Sequence, residues 1–351
     1  VESKSICSFY FSGTGNSAKV VEWVNQVADE QDIDNKSINI AKLNHRNSKE
    51  TKHLANHDDL ILMVGPTHGF NYPPILMHFI FRFPKGKNQI ALMNTRGGLR
   101  IGKWVTPGLS GIALFLAAII LKIKGYKIHS LYPVDMPSNW ISLHPGLTKK
   151  ARIYIHQQNR IRVRKTASRI FSGERINRGY WDIIQDLLIS PISIAYYLIG
   201  RFVLSKTLFA STDCTNCGLC LRQCGVDAIM NVNNHPFWTY RCESCMQCLN
   251  NCPEKAIQTG HGYIIGLSIL YTTVLIGLFY KGLDGVMISF KHHFFELVIN
   301  NILFVFYLFA GYRIIHYFLR FRAFSKLVEF TSLTRFKFWG RRYKALNDKE
   351  F

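Results

Sequence analysis

Ser5-Ile6-Cys7-Ser8-Phe9-Tyr10-Phe11-Ser12-Gly13-Thr14-Gly15-Asn16-Ser17 is the stretch that decides the fold. Its first half is a short β-rich apolar run. Its second half is a turn carrying two glycines and three hydroxyls, and a helical pattern near 16–30 follows at once. The same alternation continues along the chain. Strands are predicted over Ser5 to Phe11, Lys36 to Leu43, Leu60 to Val64, Gln89 to Thr95 and Lys127 to Val134, with helices near 16–30, 73–82, 108–123 and 149–171. Five strands alternating with helices predict an open parallel α/β sheet, whose ligand site lies outside the carboxyl ends of the strands.

The turn Ser12-Gly13-Thr14-Gly15-Asn16-Ser17 sits between the first strand and the first helix, where backbone N–H groups point outward from a helix N-terminus. Gly13 and Gly15 permit close approach of backbone, and the hydroxyls of Ser12, Thr14 and Ser17 add donors, so the run predicts a phosphate cradle. It is not the dinucleotide fingerprint, because Ala18 stands where the third glycine would fall, and it lacks the Lys-Ser/Thr pair of a P-loop.

With 351 residues the chain has length for two or three domains and an ample core. Hydrophobic residues at 48% and charged residues at 19% exclude a disordered chain. The 43 Lys and Arg against 22 Asp and Glu leave +21, which favours anionic partners: a phosphate cofactor, lipid headgroups, an acidic protein or nucleic acid. No targeting signal is read at the start, since Ile6 to Phe11 is too short for a signal sequence and runs into a glycine-rich turn.

Eight of the nine cysteines lie between Cys214 and Cys252, leaving only Cys7 elsewhere, as a small buried hydrophobe. Such crowding predicts ligation rather than disulfides, and a reducing compartment. Cys214, Cys217, Cys220 and Cys224 are matched 28 residues later by Cys242, Cys245, Cys248 and Cys252, the last followed by Pro253; Ala228-Ile229 and Ala256-Ile257 repeat at the same interval. Three thiolates at this spacing wrap one cluster, and the remote fourth reaches the other. The expected sets are therefore Cys214, Cys217, Cys220 and Cys252 for one [4Fe-4S] cluster, and Cys242, Cys245, Cys248 and Cys224 for a second. Zinc is the competing reading, disfavoured by four cysteines per site at this spacing, twice over.

The cysteine-rich stretch resembles the two-cluster bacterial ferredoxins over about 50 residues, with Gly225 departing from the proline usual after the fourth cysteine. The Ser12–Ser17 run resembles the flavodoxin phosphate loop, which implies flavin mononucleotide (FMN), a cofactor with a single phosphate. Two further loops, Pro66-Thr67-His68-Gly69-Phe70 and Asn94-Thr95-Arg96-Gly97-Gly98, stand where the flavin ring would lie, with Phe70, Tyr72 or Trp140 as stacking candidates. His68 is expected to be a hydrogen-bonding loop residue rather than a catalytic acid. Arg96, Arg100 and Lys103 predict positive potential near the ring and a raised flavin potential. Together the two units resemble a family of prokaryotic flavodoxin-ferredoxin fusion proteins over roughly residues 4 to 260, including Met136-Pro137-Ser138-Asn139 as the loop after the last strand.

The helix from Lys149 opens a basic stretch running to Arg178, expected to be a solvated face or to attract an anionic surface. Leu187 to Gly200 is an uncharged run of 14 interrupted by Pro191, read as too short to span a bilayer and hence interfacial or core. Gly262 to Tyr280, 19 residues without charge, and Leu297 to Tyr312, another 16, predict a transmembrane hairpin; a pair of buried helices is the alternative. The basic tail beyond Tyr312 places itself and the preceding domains on the cytoplasmic side, with Arg335 to Trp339 as a headgroup-level anchor. Only Thr259, Gly260 and His261 separate the cysteine repeat from the first span, which holds the clusters near the headgroups.

The expected division is a flavodoxin-like FMN domain over 4–172, a linker over 173–208, a two-[4Fe-4S] ferredoxin over 209–260, the hairpin over 262–319 and a basic aromatic tail over 320–351. The expected function is a membrane-anchored electron carrier in the cytoplasmic membrane, with membrane lipids and a quinone or membrane-bound redox protein as partners and no nucleic acid. A redox-sensing or assembly module and a reductase of a quinone or lipid are the alternatives. No acid/base constellation in the sequence identifies catalytic residues.

Overall fold

A computed structural model describes residues 5–43, 59–277 and 293–350. The chain forms two compact units: residues 1–140, 146–197 and 343–351 make the first, and residues 141–145 and 198–342 the second.

The first unit is built on β1 (Ser5–Tyr10), α1 (Asn16–Glu30), β2 (Asp34–Asn39), β3 (Leu60–Pro66), α2 (Pro74–Arg82), β4 (Gln89–Gly98), the small excursion β5 (Arg100–Ile101) and β6 (Trp104–Val105), α3 (Ala113–Ile123), β7 (Lys127–Pro137) and α4 (Lys149–Phe171). The five long strands pair in the order β2-β1-β3-β4-β7, all parallel, which is the flavodoxin-like arrangement. β3 is apolar almost throughout and buried on both faces, as helices on both sides of a parallel sheet require. On one face Val20, Trp23, Val24 and Val27 of α1 pack with Val163, Ala167 and Ile170 of α4.

All five predicted strands and four helices are present. β2 ends at Asn39, because the Asn39 side chain accepts from the Ala41 N–H and turns the chain into a short 3-10 helix. β4 and β7 run three residues further than expected, their pairing ending at Gly98 and Pro137, and so carry the loops beyond the sheet outward.

After α4 the chain is helical from Arg178 to Ser205 through α5 (Ile183–Ala195), a π-turn over Tyr196–Gly200 and α6 (Arg201–Ser205). The expected linker is thus a helix long enough to cross a bilayer rather than a 14-residue run, because the uncharged run stops at Asp186 and Arg201 while the helix continues beyond both and through Pro191. Its residues to Tyr197 belong to the first unit.

The second unit holds β8 (Leu208–Ala210), α7 (Leu219–Arg222), β9 (Ile229–Val232), β10 (His235–Trp238), α8 (Gln247–Asn251), β11 (Ile257–Thr259), α9 (His261–Leu270), a π-turn over Tyr271–Ile276, α10 (His293–Phe318) and α11 (Arg322–Phe330). β9 pairs with β10 and β8 with β11, both antiparallel. The sequence repeat is visible in the backbone: left-handed φ at Asn216, Gly218 and Asp227 recurs at Ser244, Met246 and Lys255, each 28 residues on.

Two helices account for the described parts of the predicted hairpin. Leu267 packs against Gly311, and the Tyr271 ring lies 5.1 Å from Phe304 while its hydroxyl donates to the Asn300 carbonyl, so the helices run antiparallel. Val298–Phe318 is apolar and long enough to span; the turn of the hairpin, including Gly285, lies outside the described residues.

The tail is not a free anchor. Trp339 donates to the Ile141 carbonyl and Arg342 to the Lys255 and Ile257 carbonyls, all in the second unit, while residues 343–351 belong to the first. Phe336 and Phe338 remain exposed and stack on each other.

Candidate functional site

In the first unit, Gly15 is the N-cap of α1 with φ +99, a conformation L side chains rarely adopt. No side chain caps the helix and its first turn carries no acid, so its leading N–H groups face the turn electrostatically open to an anion. Asn139 donates to the Thr14 hydroxyl oxygen, leaving that hydroxyl's proton free to point elsewhere. Ser17 Oγ lies 2.9 Å from Thr95 Oγ1, tying the first loop to the end of β4. Ser12 Oγ is enclosed and has no hydrogen-bond partner among the described residues. An uncapped helix start, an orphaned buried hydroxyl and a glycine bend are the features a phosphate needs, and the residues fit one.

Residues that the sequence did not single out also meet this loop. The Ala345 N–H donates to the Thr14 carbonyl at 2.9 Å, and a Cβ on Gly15 would lie 2.8 Å from the Cβ of Ala345. Tyr343 is buried, donating to Asn16 Oδ1 and bonded to His156 Nε2. Asp348 accepts from the Trp23 indole and from Gln26, and pairs with Lys19 and Arg160. The C-terminal segment therefore straps the start of α1. Its only signal in the sequence was one more basic aromatic stretch, already read as an anchor.

The two outer loops are present, with roles unlike those expected for some residues. Tyr72 is fully buried and donates to the Met93 carbonyl, so it is a core residue rather than a stacking partner. Asn94 is buried and donates to Ser110, and Thr67 bonds the Thr95 carbonyl. His68, Trp140 and Tyr196 form a run of rings 5.6 to 6.0 Å apart, with Tyr196 pressed on the open side of Gly69. Phe70 has positive φ, and its carbonyl accepts from Ser193. Pro66 ends β3, while Gly97 and Gly98 pack closely on Ser138 and Asp135.

Arg96 does not offer its charge to a ring. It is buried in ion pairs with Asp135 and Asp182, each at 2.6 Å. Arg100 lies over the Tyr154 ring within the β5–β6 excursion. The Arg96 share of the expected positive field is thus neutralised. The basic face of α4 is likewise engaged locally, Arg164 with Glu30, Arg169 with Glu174 and Arg160 with Asp348, as a solvated face predicts.

In the second unit Cys214, Cys217, Cys220, Cys248 and Cys252 line one cavity. Burial raises the Cys220 thiol to about 11, with the charges of Cys214 and Cys252 adding to the rise. Burial raises the Cys242 thiol to about 12, and there the added charge is that of Cys224. Cys224 bears also on Cys245 and Cys248. The charges of Cys252 and Cys224 thus bear on the cysteines of the opposite run, while Cys248 lines the cavity of the first. Backbone N–H groups point at the sulfurs, Ala228 to Cys224 at 3.2 Å and Ser244 to Cys242 at 3.5 Å. Among the described residues no three His, Cys, Asp or Glu converge tightly enough to hold a single metal ion. Cysteine-only donors at two- and three-residue spacing suit an iron–sulfur cluster.

Beside the second group, Lys206 is 1% exposed and its ammonium donates to the Trp238 carbonyl. The ammonium lies 4.5 to 5.1 Å from the ring centroids of Phe237, Phe309 and Tyr312. Burial pulls its pKa down to about 8, the charge of Cys242 opposing the fall and that of Arg313 adding to it. Trp238 is fully buried, and its indole N–H is directed at Cys248.

Residues 213–257 match the family model of the 4Fe-4S dicluster domain. No curated protein matches the chain. Among solved structures, the rubredoxin oxygen:oxidoreductase of the anaerobe Desulfovibrio gigas aligns at 14% identity and TM-score 0.33, covering 49% of this chain. The chain spans only 37% of that protein's length. A flavodoxin from the domain Archaea aligns at 13% identity and TM-score 0.29, over 46% of this chain and 98% of its own. The azoreductase of Bacillus anthracis str. Sterne aligns at 13% and 0.33, over 47% and 99%.

Proposed function

We propose that the chain is a membrane-attached electron carrier in which two [4Fe-4S] clusters exchange electrons with an FMN. The observation that carries this reading is the pair of cysteine runs, 28 residues apart, within residues 213–257 that match the 4Fe-4S dicluster domain; it supports Cys214, Cys217, Cys220 and Cys252 as one ligand set and Cys242, Cys245, Cys248 and Cys224 as the other. When bound, the clusters supply one-electron steps and the flavin one- or two-electron steps. The protein's own part is to bind and orient. Ser12, Gly13, Thr14, Gly15, Asn16 and Ser17 hold the phosphate, Asn139 and Ala345 fix the loop, and N–H groups directed at sulfur spread the negative charge of the thiolates.

Attachment to the membrane is supported by two features. Val298–Phe318 is long and apolar enough to span. The helix from Arg178 is amphipathic in the inverted sense: Asp182, Gln185, Asp186 and Ser193 bond to the first unit, while Trp181, Ile184, Leu187, Leu188 and Ile192 are exposed. Trp181, 84% exposed, would be costly to leave in water, and such a face, flanked by Arg175 and Arg178, suits the interface of an anionic bilayer. By the positive-inside rule the basic tail favours the cytoplasmic side for the chain, and a quinone or a membrane-bound redox protein is the partner such a location would suit.

Anaerobic purification with counting of iron, acid-labile sulfide and flavin tests the cofactor content. Steady turnover between a low-potential donor and a quinone, with the protein in liposomes, tests the carrier role. Loading without turnover would reject the carrier reading.

A further inference from the structure

The second group of cysteines is the more enclosed of the two, with Cys242 buried and Cys224, Cys245 and Cys248 half-buried, and this creates an electrostatic difficulty. Cys242 is buried whereas Cys217 of the first group is exposed. Adding an electron to a cluster held by four thiolates increases its negative charge by one, and burial disfavours that charge. Glu243, next to Cys242 and itself buried, acts in the same direction. Left uncompensated, the second cluster would fall in potential below the first, and electrons would not step onto it.

We propose that Lys206 is the fixed cation that offsets this burial and raises the reduction potential of the cluster held by Cys242, Cys245, Cys248 and Cys224. The proposal rests on the two-cluster reading above. Lys206 is almost wholly enclosed, and its described partners are a carbonyl and three aromatic faces rather than a carboxylate, so its charge is not cancelled at contact. The bonded carbonyl belongs to Trp238, whose indole N–H is directed at Cys248, giving that sulfur a donor from the same residue. Phe309 and Tyr312 also fix the ammonium in place. Tyr312 donates to the Leu208 carbonyl and accepts from the Trp238 N–H, so the apolar helix α10 closes over the site. Lys206 is bonded to the carbonyl of Trp238, which packs in one core cluster with Cys242, whereas Arg342 is bonded to the Lys255 and Ile257 carbonyls, in the segment that follows Cys252. Removal of Lys206 therefore affects one cluster selectively. The electron comes from the reductant in the assay, and no proton transfer is required of the lysine.

The test is an anaerobic redox titration of the detergent-solubilised full chain with dithionite, followed by electron paramagnetic resonance. The second cluster is identified as the signal that survives Cys220→Ser and disappears in Cys224→Ser. Lys206→Met, close in volume, is expected to shift the reduction equilibrium of that cluster at least tenfold towards the oxidised form, or about 59 mV for one electron. The first cluster should move by less than threefold, and Lys206→Arg should restore the second. Lys206→Gln, which keeps a donor for the Trp238 carbonyl without the charge, replaces Lys206→Met if that variant does not load. An unmoved second cluster, or equal movement of both, overturns the role of Lys206 and leaves the carrier reading standing. Iron and sulfide for a single cluster in the wild type overturn both.

Discussion

Replacing Gly15 with alanine probes the phosphate loop with a perturbation whose parts can be separated. At φ +99 a residue with a Cβ costs about 1–2 kcal/mol relative to glycine. The new methyl would also lie 2.8 Å from the Cβ of Ala345, too close for either to remain in place. Moving Ala345 away breaks its N–H bond to the Thr14 carbonyl, worth about 0.5–1.5 kcal/mol. The total of about 1.5–3.5 kcal/mol appears as weaker flavin binding where the free loop relaxes, and as lost stability where it does not. Titrating the flavin-free protein with FMN by fluorescence quenching, together with its thermal midpoint, captures both. If the whole cost falls on binding, Kd rises about 10- to 300-fold. Ala345→Gly added to Gly15→Ala removes the clashing methyl, so the double variant should recover the contact part and keep the backbone part. Binding and midpoint both equal to wild type in Gly15→Ala would refute the reasoning. So would a double variant no better than the single one, as regards the strap. Iron content serves as the control and should not change.

The cysteine assignment predicts that Cys220→Ser and Cys224→Ser each lose about half the iron, but different halves; loss of the same resonance signal in both would contradict it. Arg96→Met strands the Asp135 and Asp182 carboxylates and should cost about 3–5 kcal/mol, seen as a fall in the thermal midpoint. A change within experimental error would mean that this buried pair is not structural. With Arg96 neutralised, a flavin hydroquinone couple as low as in acidic flavodoxins becomes admissible, and potentiometric titration of the bound flavin reads it directly. Full-length protein should stay with membranes after high salt and alkaline carbonate, and a chain that remains soluble without detergent would sink the membrane reading.

Periodicity and spacing along the chain were enough for whatever depends on local order. Alternating apolar runs of strand and helix length specify five parallel strands, because a sheet covered on both faces demands continuous apolar strands and helices between them. Glycine and hydroxyl residues at a strand-to-helix turn specify an anion cradle, because helix N-termini leave N–H groups open. The 28-residue repeat in the cysteines reappears as a repeat of left-handed backbone at Asn216 and Ser244, so duplication was legible in the ligands before it was visible in the chain path. Tertiary structure decided what depends on residues far apart in sequence. Nothing near Arg96 in the chain announces that Asp135 and Asp182 will neutralise it, and Tyr72 reads as an available aromatic until it is seen bonded inside the core. The Arg178 helix read as short in sequence because its uncharged run, Leu187 to Gly200, stops at Asp186 and Arg201, yet the helix continues beyond both and through Pro191. Ala345, Tyr343 and Asp348 reach the first loop only because the chain closes back on α1, some 330 residues later. Lys206 was one charge among 43 until burial, a carbonyl and three rings gave it a fixed place beside Cys242. A charge acts through distance and dielectric, and both are properties of the folded chain.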